Sequence, residues 1–182
     1  MEENLNVIMV TNANMEAIYA IDSKNGLSRN GVITWNCRKD MLFFMNKTKN
    51  NVVIMGNTTY FSLPIEHRPL RNRLNVVLTR KPFINENPNV LFTNDSNIHE
   101  TILSSREIYC EKYSYLKKDF KIFFIGGKNI YEQFIPLCHC VWVSQLKCDY
   151  NCDLFMNYDY SHYDSLVYEE DDELKIIKYT RI

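Results

Sequence analysis

Short apolar runs alternate with helix-like stretches along most of the chain. Eight runs are rich in β-branched, aromatic and other apolar residues, as strands are, and they lie at residues 17–22, 51–55, 74–79, 90–92, 121–125, 141–146, 165–169 and 174–181. Four intervening stretches are helix-like and lie at residues 38–47, 58–62, 97–110 and 129–135. This alternation predicts an α/β fold in which helices flank a mostly parallel central sheet.

The two ends of the chain depart from this alternation. The last two strand-like runs are separated by the acidic residues 170–173, which predicts a C-terminal antiparallel hairpin that closes the sheet. Residues 1–14 precede the first run and contain an apolar segment at residues 5–10, which we interpret as an added strand or as an extension before the first true strand. The length of 182 residues fits a single domain over residues 1–182.

The composition argues against several classes of function. Hydrophobic residues make up 46% of the chain and aromatic residues 13%, as in a folded globular protein. The net charge is −1 without a basic stripe, which argues against nucleic-acid binding. No apolar stretch approaches the roughly 20 residues that span a bilayer, and the acidic residues 1–4 do not resemble the start of a signal peptide. We therefore expect a cytoplasmic protein without nucleic-acid or membrane partners.

The cysteines raise the question of a metal site. They lie at positions 37, 110, 138, 140, 148 and 152. The last four give the pattern C-x-C…C-x3-C, whereas most structural zinc sites use a tighter C-x2-C pair. Free cysteine is among the most frequently buried residue types. We favour reduced structural thiols and expect no metal.

One acidic residue lies in an otherwise apolar helical stretch. Asp40 precedes Phe43 and Phe44 by one turn, and positions three and four apart share a helix face. A carboxylate against aromatic rings loses solvation, so it needs a cationic or donor-rich partner or binds a proton. Either outcome suits a pocket for a flat, nitrogen-rich heterocycle. The alternative interpretation is a solvated first-turn acid, favoured by the helix dipole.

Three apolar strand-like runs end in residues that suit a phosphate-bearing ligand. One ends at Gly56, the next in Thr79 and Arg80, and the third in Gly126 and Gly127. Ligands of parallel α/β sheets bind at the carboxyl ends of strands, and glycine permits close backbone approach there. The paired glycines do not form G-x-G-x-x-G, so the usual dinucleotide fingerprint is absent. Each end alone also fits an ordinary capped turn or a solvated strand end.

Taken together, four blocks resemble the dihydrofolate reductase family in their order and spacing. The blocks are A…GLSRNGVITW…D from residue 20, VIMG…T from residue 53, RPLRNRLNVVLTR from residue 68 and IGG…YE from residue 125. The similarity extends from about residue 17 to the C-terminus. It implies a single-domain fold of this family and an NADPH-dependent reduction of 7,8-dihydrofolate to tetrahydrofolate.

The resemblance assigns roles at the substrate. Asp40 falls on the family's pterin-binding acid, where it would orient the pterin and favour protonation of the imine nitrogen through water. Trp35 would fix a structural water nearby, so these two are the expected catalytic residues. Arg73 would bind the glutamate carboxylate of the substrate, and Ser144 would support Asp40. The expected substrate-binding residues are Ala20, Asp40, Met41, Phe44, Leu63, Leu70, Arg73, Ile125 and Ser144.

The resemblance also implies NADPH as the cofactor. Thr59 would hold the diphosphate, Thr79 and Arg80 would select the 2′-phosphate, and residues 22–35 would form a lid over the nicotinamide. The expected cofactor-binding residues are Ala20, Leu27, Gly56, Asn57, Thr58, Thr59, Leu78, Thr79, Arg80, Ile125, Gly126, Gly127, Lys128, Asn129, Ile130 and Tyr131.

Three positions depart from the family pattern. Thr34 replaces a proline before the tryptophan, which leaves the lid hinge less rigid. Ser28 stands where the lid often has glycine, and Asn57 replaces a basic residue, so Arg80 carries more of the selectivity for NADPH. None of these changes removes a catalytic group.

Two alternatives to the reductase hypothesis remain. A pyrimidine reductase of the riboflavin pathway shares the architecture but needs neither Arg73 nor the spacing from Trp35 to Asp40. A non-catalytic cofactor-binding module would account for the altered lid. For the dihydrofolate reductase we expect a monomer that is inhibited by antifolates such as methotrexate.

Overall fold

The computed structural model describes residues 13–82 and 84–182. The strands are β1 (Met15–Ile21), β2 (Gly26–Ser28), β3 (Val52–Gly56), β4 (Leu74–Leu78), β5 (Val90–Thr93), β6 (Ile122–Phe124), β7 (Cys140–Leu146), β8 (Leu154–Phe155), β9 (Tyr163–Glu170) and β10 (Leu174–Arg181). The α-helices are α1 (Arg38–Thr48), α2 (Asn57–Ser62), α3 (Ile98–Ser104), α4 (Arg106–Lys112) and α5 (Lys128–Phe134). Single 3-10 turns occupy Ile65–His67 and Ile135–Leu137.

Eight strands form one sheet in the order β5-β4-β3-β6-β1-β7-β10-β9. The pairs from β5 to β7 are parallel, whereas β10 is antiparallel to both β7 and β9. The predicted α/β fold, with a mostly parallel sheet and a C-terminal antiparallel hairpin, is therefore confirmed. Strands β2 and β8 form a separate two-stranded ribbon that the sequence did not predict, because strands this short contain too few residues for a pattern.

Apolar cores cover both faces of the sheet. One core contains Phe120, Phe124 and Phe134, and the other contains Trp35 and Trp142. A strand covered on both faces needs apolar residues at successive positions, which explains the continuous apolar runs in the sequence. The central strand β1 is buried at every position except one, which is partly exposed.

Helix α1 covers the sheet incompletely. Thr48 is its only buried residue, while Met41 and Met45 keep 55% and 45% of their surface exposed. Phe43 and Phe44 are partly buried against the core that contains Trp35. The helix therefore leaves apolar side chains uncovered beside the sheet.

One predicted helix needs correction, and one predicted strand lies outside the described residues. The helix predicted over residues 97–110 is two helices, because Ser105 adopts φ −111° and ψ 31° between α3 and α4. Serine competes with helical hydrogen bonding through its own side chain and favours such breaks. The apolar segment at residues 5–10 lies outside the described residues, and the first strand begins at Met15.

The structure also bears on the cysteines and on membrane insertion. All six cysteines are free. Within residues 13–82 and 84–182, no cluster of three or more histidine, cysteine or acidic side chains could hold a metal ion. In the same part of the chain, no helix is both long enough and apolar enough to cross a bilayer.

A buried carboxylate joins two loops at the end of β1. Asp22 accepts hydrogen bonds from the backbone N–H groups of Lys24 at 2.9 Å, Gly26 at 2.8 Å and Tyr150 at 3.0 Å. Burial alone raises the pKa of Asp22, but these donors and the Cys152 thiol outweigh it and leave the pKa below its ordinary value. A Cβ on Gly26 would lie 2.3 Å from the Cβ of Cys152, so the loops meet where only glycine fits.

We expect Asp22→Asn to lower the free energy of unfolding by about 1–3 kcal/mol at neutral pH, because the amide cannot accept all of these hydrogen bonds. The low pKa of Asp22 in the folded protein stabilises the fold above the unfolded-state pKa, and this stabilisation is lost as pH falls through the folded-state pKa. The difference in the free energy of unfolding between the parent and the variant should therefore become smaller in acid. Urea unfolding at several pH values measures it, with the exposed Asp119→Asn as control. A difference that stays constant down to about pH 3 would contradict this account of Asp22.

Candidate active site

A cleft of about 1010 Å³ opens at the carboxyl ends of β3, β4 and β6. Gly56 ends β3, Thr79 follows β4, and Ile125 follows β6, so three strand ends reach the same cleft. Every residue of the expected cofactor set, from Ala20 to Tyr131, lines it. The residues that the resemblance assigns to the cofactor therefore lie together along one cleft, and their binding of a cofactor stays a prediction.

Glycines allow β3 and the segment after β6 to approach each other closely. The backbone N–H of Gly56 donates to the carbonyl of Gly126 at 2.8 Å. Gly126 has φ +116°, and a Cβ there would lie 3.0 Å from the hydroxyl oxygen of Tyr131. A Cβ on Gly127, which follows a cis peptide bond, would lie 3.2 Å from Oγ1 of Thr59. Side chains at either glycine would therefore crowd this edge of the cleft.

Tyr131 connects the cleft to the interior of the sheet. Its hydroxyl donates to the carbonyl of Ile18 at 3.0 Å, and its ring centroid lies 5.0 Å from that of Tyr19. Burial, then the proximity of Tyr19 and of the Asp40 carboxylate, raise the pKa of Tyr131 far above its usual range. The phenol is therefore neutral.

Asp40 has the surroundings of a desolvated carboxylate rather than of a solvated helix acid. It lies in the first turn of α1 and is partly buried. Its pKa is raised, because burial outweighs the nearby side-chain donors of Ser144 and Trp35, which favour the ionised form. Ser144 lies on β7 and is itself buried.

The indole of Trp35 contributes a buried donor at the same place. Its Nε1 has no partner within hydrogen-bonding distance among the described residues, although its N–H is near enough to lower the pKa of Asp40. Buried donors usually bind an acceptor, either a ligand atom or an ordered water. The indole and the carboxylate together therefore favour a polar ligand group between them.

Apolar side chains surround this polar pair. Phe44, Leu63 and Leu70 are partly buried against the core group that contains Trp35 and Ile125. Ala20 and Ile125 also line the cofactor cleft, whereas the other expected substrate residues do not. Met41 lies on the exposed side of α1. The expected substrate residues thus form a neighbouring surface that meets the cleft at Ala20 and Ile125.

Arg73 is a buried cation that forms no ion pair with any residue of 13–82 and 84–182. Only 7% of its surface is exposed, and burial lowers its pKa. Its Nε donates to the carbonyl of Arg71 at 3.0 Å, and one terminal nitrogen donates to Oγ1 of Thr48 at 3.3 Å. No ion pair to Arg73 occurs in the described part of the chain. A guanidinium has five N–H donors and remains charged, so Arg73 retains donors for an anion.

The structure adds residues to the cleft that sequence reasoning missed. They are Tyr19, Ser28, Gly31, Ile33, Phe61, Ser62, Lys81 and Leu154. Ser28, Gly31 and Ile33 belong to residues 22–35, so the expected lid segment does border the cleft. Lys81 was detectable, because it directly follows Arg80 and extends the basic strand end. Phe61 and Leu154 carry no signal in sequence that separates them from other surface residues.

Comparison with known proteins agrees with the resemblance seen in the sequence. The family model described as dihydrofolate reductase matches residues 14–181. A dihydrofolate reductase from Ureaplasma parvum serovar 3 is 30% identical over 149 residues, which cover 82% of this chain and 85% of that protein. A dihydrofolate reductase from Aedes albopictus is 28% identical over 147 residues, or 76% of each chain.

Longer proteins contain a similar region. The bifunctional dihydrofolate reductase-thymidylate synthase of Daucus carota is 32% identical over 155 residues, which cover 78% of this chain but 28% of that protein. The family match spans nearly all of the chain, and the same residues build the glycine-lined cleft and the surface around Asp40. The chain therefore belongs to the dihydrofolate reductase family and is an oxidoreductase of that family.

Proposed function

We propose that the protein reduces 7,8-dihydrofolate to 5,6,7,8-tetrahydrofolate with NADPH as the hydride donor. The observation that carries the proposal is the partly buried carboxylate of Asp40 on α1, whose pKa is raised by burial and which lies near the unpartnered buried indole N–H of Trp35. Relatives named dihydrofolate reductase support the choice of substrate.

Asp40 binds and orients the pterin in this proposal. Its two oxygens accept hydrogen bonds from the pterin amino group and from a neighbouring ring N–H, which is stronger and more directional than one bond. Because burial raises the pKa of Asp40, this carboxyl exchanges protons closer to neutral pH than an exposed aspartic acid does. Trp35 holds a water near the pair, through which the proton reaches the imine nitrogen of the pterin.

The cleft residues fit a phosphorylated dinucleotide. Backbone groups of Gly126 and Gly127 lie where a flat ring or a diphosphate can approach without meeting a side chain. Thr79, Arg80 and Lys81 bring hydroxyl and cationic donors to one end of the cleft, which suits a phosphate monoester. NADPH supplies a hydride when bound, and the chain's residues align the acceptor carbon with it.

Arg73 binds the glutamate of the substrate. A planar guanidinium donates two parallel hydrogen bonds to a carboxylate, and burial beside Phe44 reduces competition from water. The apolar side chains of Phe44, Leu63 and Leu70 pack against the benzoyl ring between the pterin and this glutamate. Methotrexate has the same three parts, so it competes with dihydrofolate for this surface.

We expect Asp40→Asn to slow dihydrofolate reduction by about 100-fold or more at neutral pH, because an amide cannot exchange the proton. The parent rate should fall as pH rises through the raised pKa of Asp40, and the variant should lose this dependence. NADPH consumption with and without methotrexate measures the reaction, with Asp119→Asn as the matched control. NADPH affinity should be unchanged. A variant as fast as the parent would show that Asp40 does not have this role.

We expect Arg73→Gln to raise the KM for dihydrofolate by about 30-fold or more, because a desolvated charge pair is lost. The effect on kcat should be smaller than the effect on KM, since the glutamate is remote from the reacting carbon. Steady-state kinetics with a dihydropterin that lacks the glutamate provides the control, because its KM should hardly change. Equal losses with both substrates would mean that Arg73 supports the fold and does not bind the glutamate.

We expect Arg80→Gln to raise the KM for NADPH by about tenfold while the KM for NADH stays the same, because only NADPH has the 2′-phosphate. Lys112→Gln removes one charge from an exposed position on α4 and serves as the matched control. Steady-state kinetics with each cofactor measures the ratio of the KM for NADPH to the KM for NADH. An equal change for NADPH and NADH would contradict a role in selecting the 2′-phosphate.

A further inference from the structure

Strand β9 forms one edge of the eight-stranded sheet. It pairs with β10 on one side, and no strand in the described part of the chain pairs with its other side. Every residue of β9 after Tyr163 is exposed. Leu166, Val167 and Tyr168 are consecutive and uncharged, and they keep 61%, 48% and 54% of their surface exposed. A long, apolar and unpaired edge strand is a template for pairing with a further strand.

The ladder between β9 and β10 shows which backbone groups of β9 point away from the sheet. The N–H of Ile182, just after β10, donates to the carbonyl of His162, just before β9, at 3.2 Å. Antiparallel pairs alternate between hydrogen-bonded and non-hydrogen-bonded, and the register is regular as far as Val167. Leu166, four residues after His162, therefore directs its N–H and C=O groups toward β10. Ser165 and Val167 direct theirs outward, where a further strand could bind them.

This free edge is complementary to itself. Two copies of β9 can pair antiparallel about a two-fold axis beside Leu166, which brings Ser165 of each copy opposite Val167 of the other. Both residues point outward, so each of these pairs exchanges two hydrogen bonds. The two Leu166 residues then form a non-hydrogen-bonded pair, in which side chains lie closest. Asp164 lies opposite Tyr168 of the second copy, whose phenol can donate to the carboxylate.

Other registers of two β9 strands fit less well. A shift by one residue would place an outward-pointing residue opposite an inward-pointing one and lose the hydrogen bonds. An axis at Val167 would bring Asp164 of each copy opposite Glu170 of the other, and like charges directly opposite are destabilising. An axis at the other outward residue would need the N–H of Tyr163, which already donates to the carbonyl of Tyr160 at 3.0 Å.

Contacts within the chain hold β9 in a conformation that is ready for pairing. The ring centroid of Tyr168 lies 5.3 Å from that of Trp142 on β7 and 5.7 Å from that of Phe43 on α1. Leu166 is paired with Lys178 on β10. Because the strand is already ordered, a second strand that binds to it pays little for further ordering.

We propose that β9 is the interface through which two copies of this chain form a symmetric dimer with one continuous sheet. The partner is a second copy because the edge supplies its own donors and acceptors, an apolar residue at the axis and a register that keeps its acidic residues apart. No residue of β9 lines the cofactor cleft, so the dimer leaves the cleft open. The proposal is independent of the proposed function and departs from the monomer that the sequence led us to expect.

Sedimentation velocity of the full chain over a range of concentrations tests the dimer. At about 10–100 µM we expect a mass twice the 21.7 kDa of one chain. Leu166→Lys should weaken the association at least about tenfold, because two lysines then face each other at the axis. Ile108→Lys makes the same change at a residue of α4 that is 65% exposed, and this control should retain the dimer.

A pair of charge variants tests the position of the axis. Leu166→Lys and Leu166→Asp should each be mostly monomeric alone, and a mixture of the two should form a mixed dimer, because opposite charges then meet at the axis. Near-UV circular dichroism shows that each variant is folded. A change that acted only through the fold of one chain would not be reversed by mixing.

Four results would overturn the proposal. They are a parent that stays monomeric up to about 100 µM, a dimer that survives Leu166→Lys, and charge variants that fail to associate when they are mixed. The fourth is a monomer in which the N–H of Val167 is protected from hydrogen exchange, because another part of the same chain would then cover the edge.

Discussion

The close approach of β3 and the segment after β6 determines the geometry of the site. The hydrogen bond of 2.8 Å from Gly56 to the carbonyl of Gly126 joins neighbouring parallel strands just beyond their regular pairing. It favours glycine at Gly126, because φ is +116° there and a Cβ would lie 3.0 Å from the Tyr131 hydroxyl, so a side chain would be strained and crowded. Tyr131 is held in turn by the carbonyl of Ile18 in β1. One backbone contact therefore sets the floor of the cofactor cleft and the ring that lies near Asp40.

Buried charged side chains are of two kinds in this protein: some have all their polar atoms paired within the fold, and others do not. Glu16 is buried, pairs with Lys121 and accepts from the indole nitrogen of Trp142 at 2.7 Å, and Asp22 is bound by several backbone N–H groups. Burial costs such groups little because their oxygens are satisfied. Asp40 and Arg73 are different, since one has a raised pKa and the other has no acidic partner among the described residues. Incompletely paired charges are concentrated where a folate would supply the partners.

Local pattern predicted the fold and the strand ends at Gly56, Thr79 and Gly126, whereas the full set of expected cofactor residues came from the family resemblance. Continuous apolar runs predict buried parallel strands, and the residues just after each run necessarily lie at the same sheet edge. The break at Ser105 and the ribbon of β2 and β8 were not predicted, because a single serine is a weak signal and strands of two or three residues show no pattern. A surface cavity of about 390 Å³ is lined by residues between 66 and 72 together with residues 87, 89 and 115, which meet only in the folded chain, so no local pattern predicts it. The prediction that Trp35 and Ser144 lie near Asp40 came from the family resemblance, because no sequence pattern connects the three positions.

Arg71 is exposed and Arg73 is buried because of the backbone conformation of the residue between them. In an extended strand, residues two apart point to the same side, so both arginines would be buried or both exposed. Asn72, between them, has φ +55°, a left-handed conformation that asparagine tolerates better than most residues. The turn reverses the chain, so Arg71 is exposed while Arg73 retains only 7% exposure. Asn75 donates to backbone carbonyls on both sides of this turn. These hydrogen bonds fix the turn and therefore the different exposure of the two arginines. A short turn thus separates one buried guanidinium, which lies beside Thr48 and Phe44, from one exposed guanidinium two residues earlier in the chain.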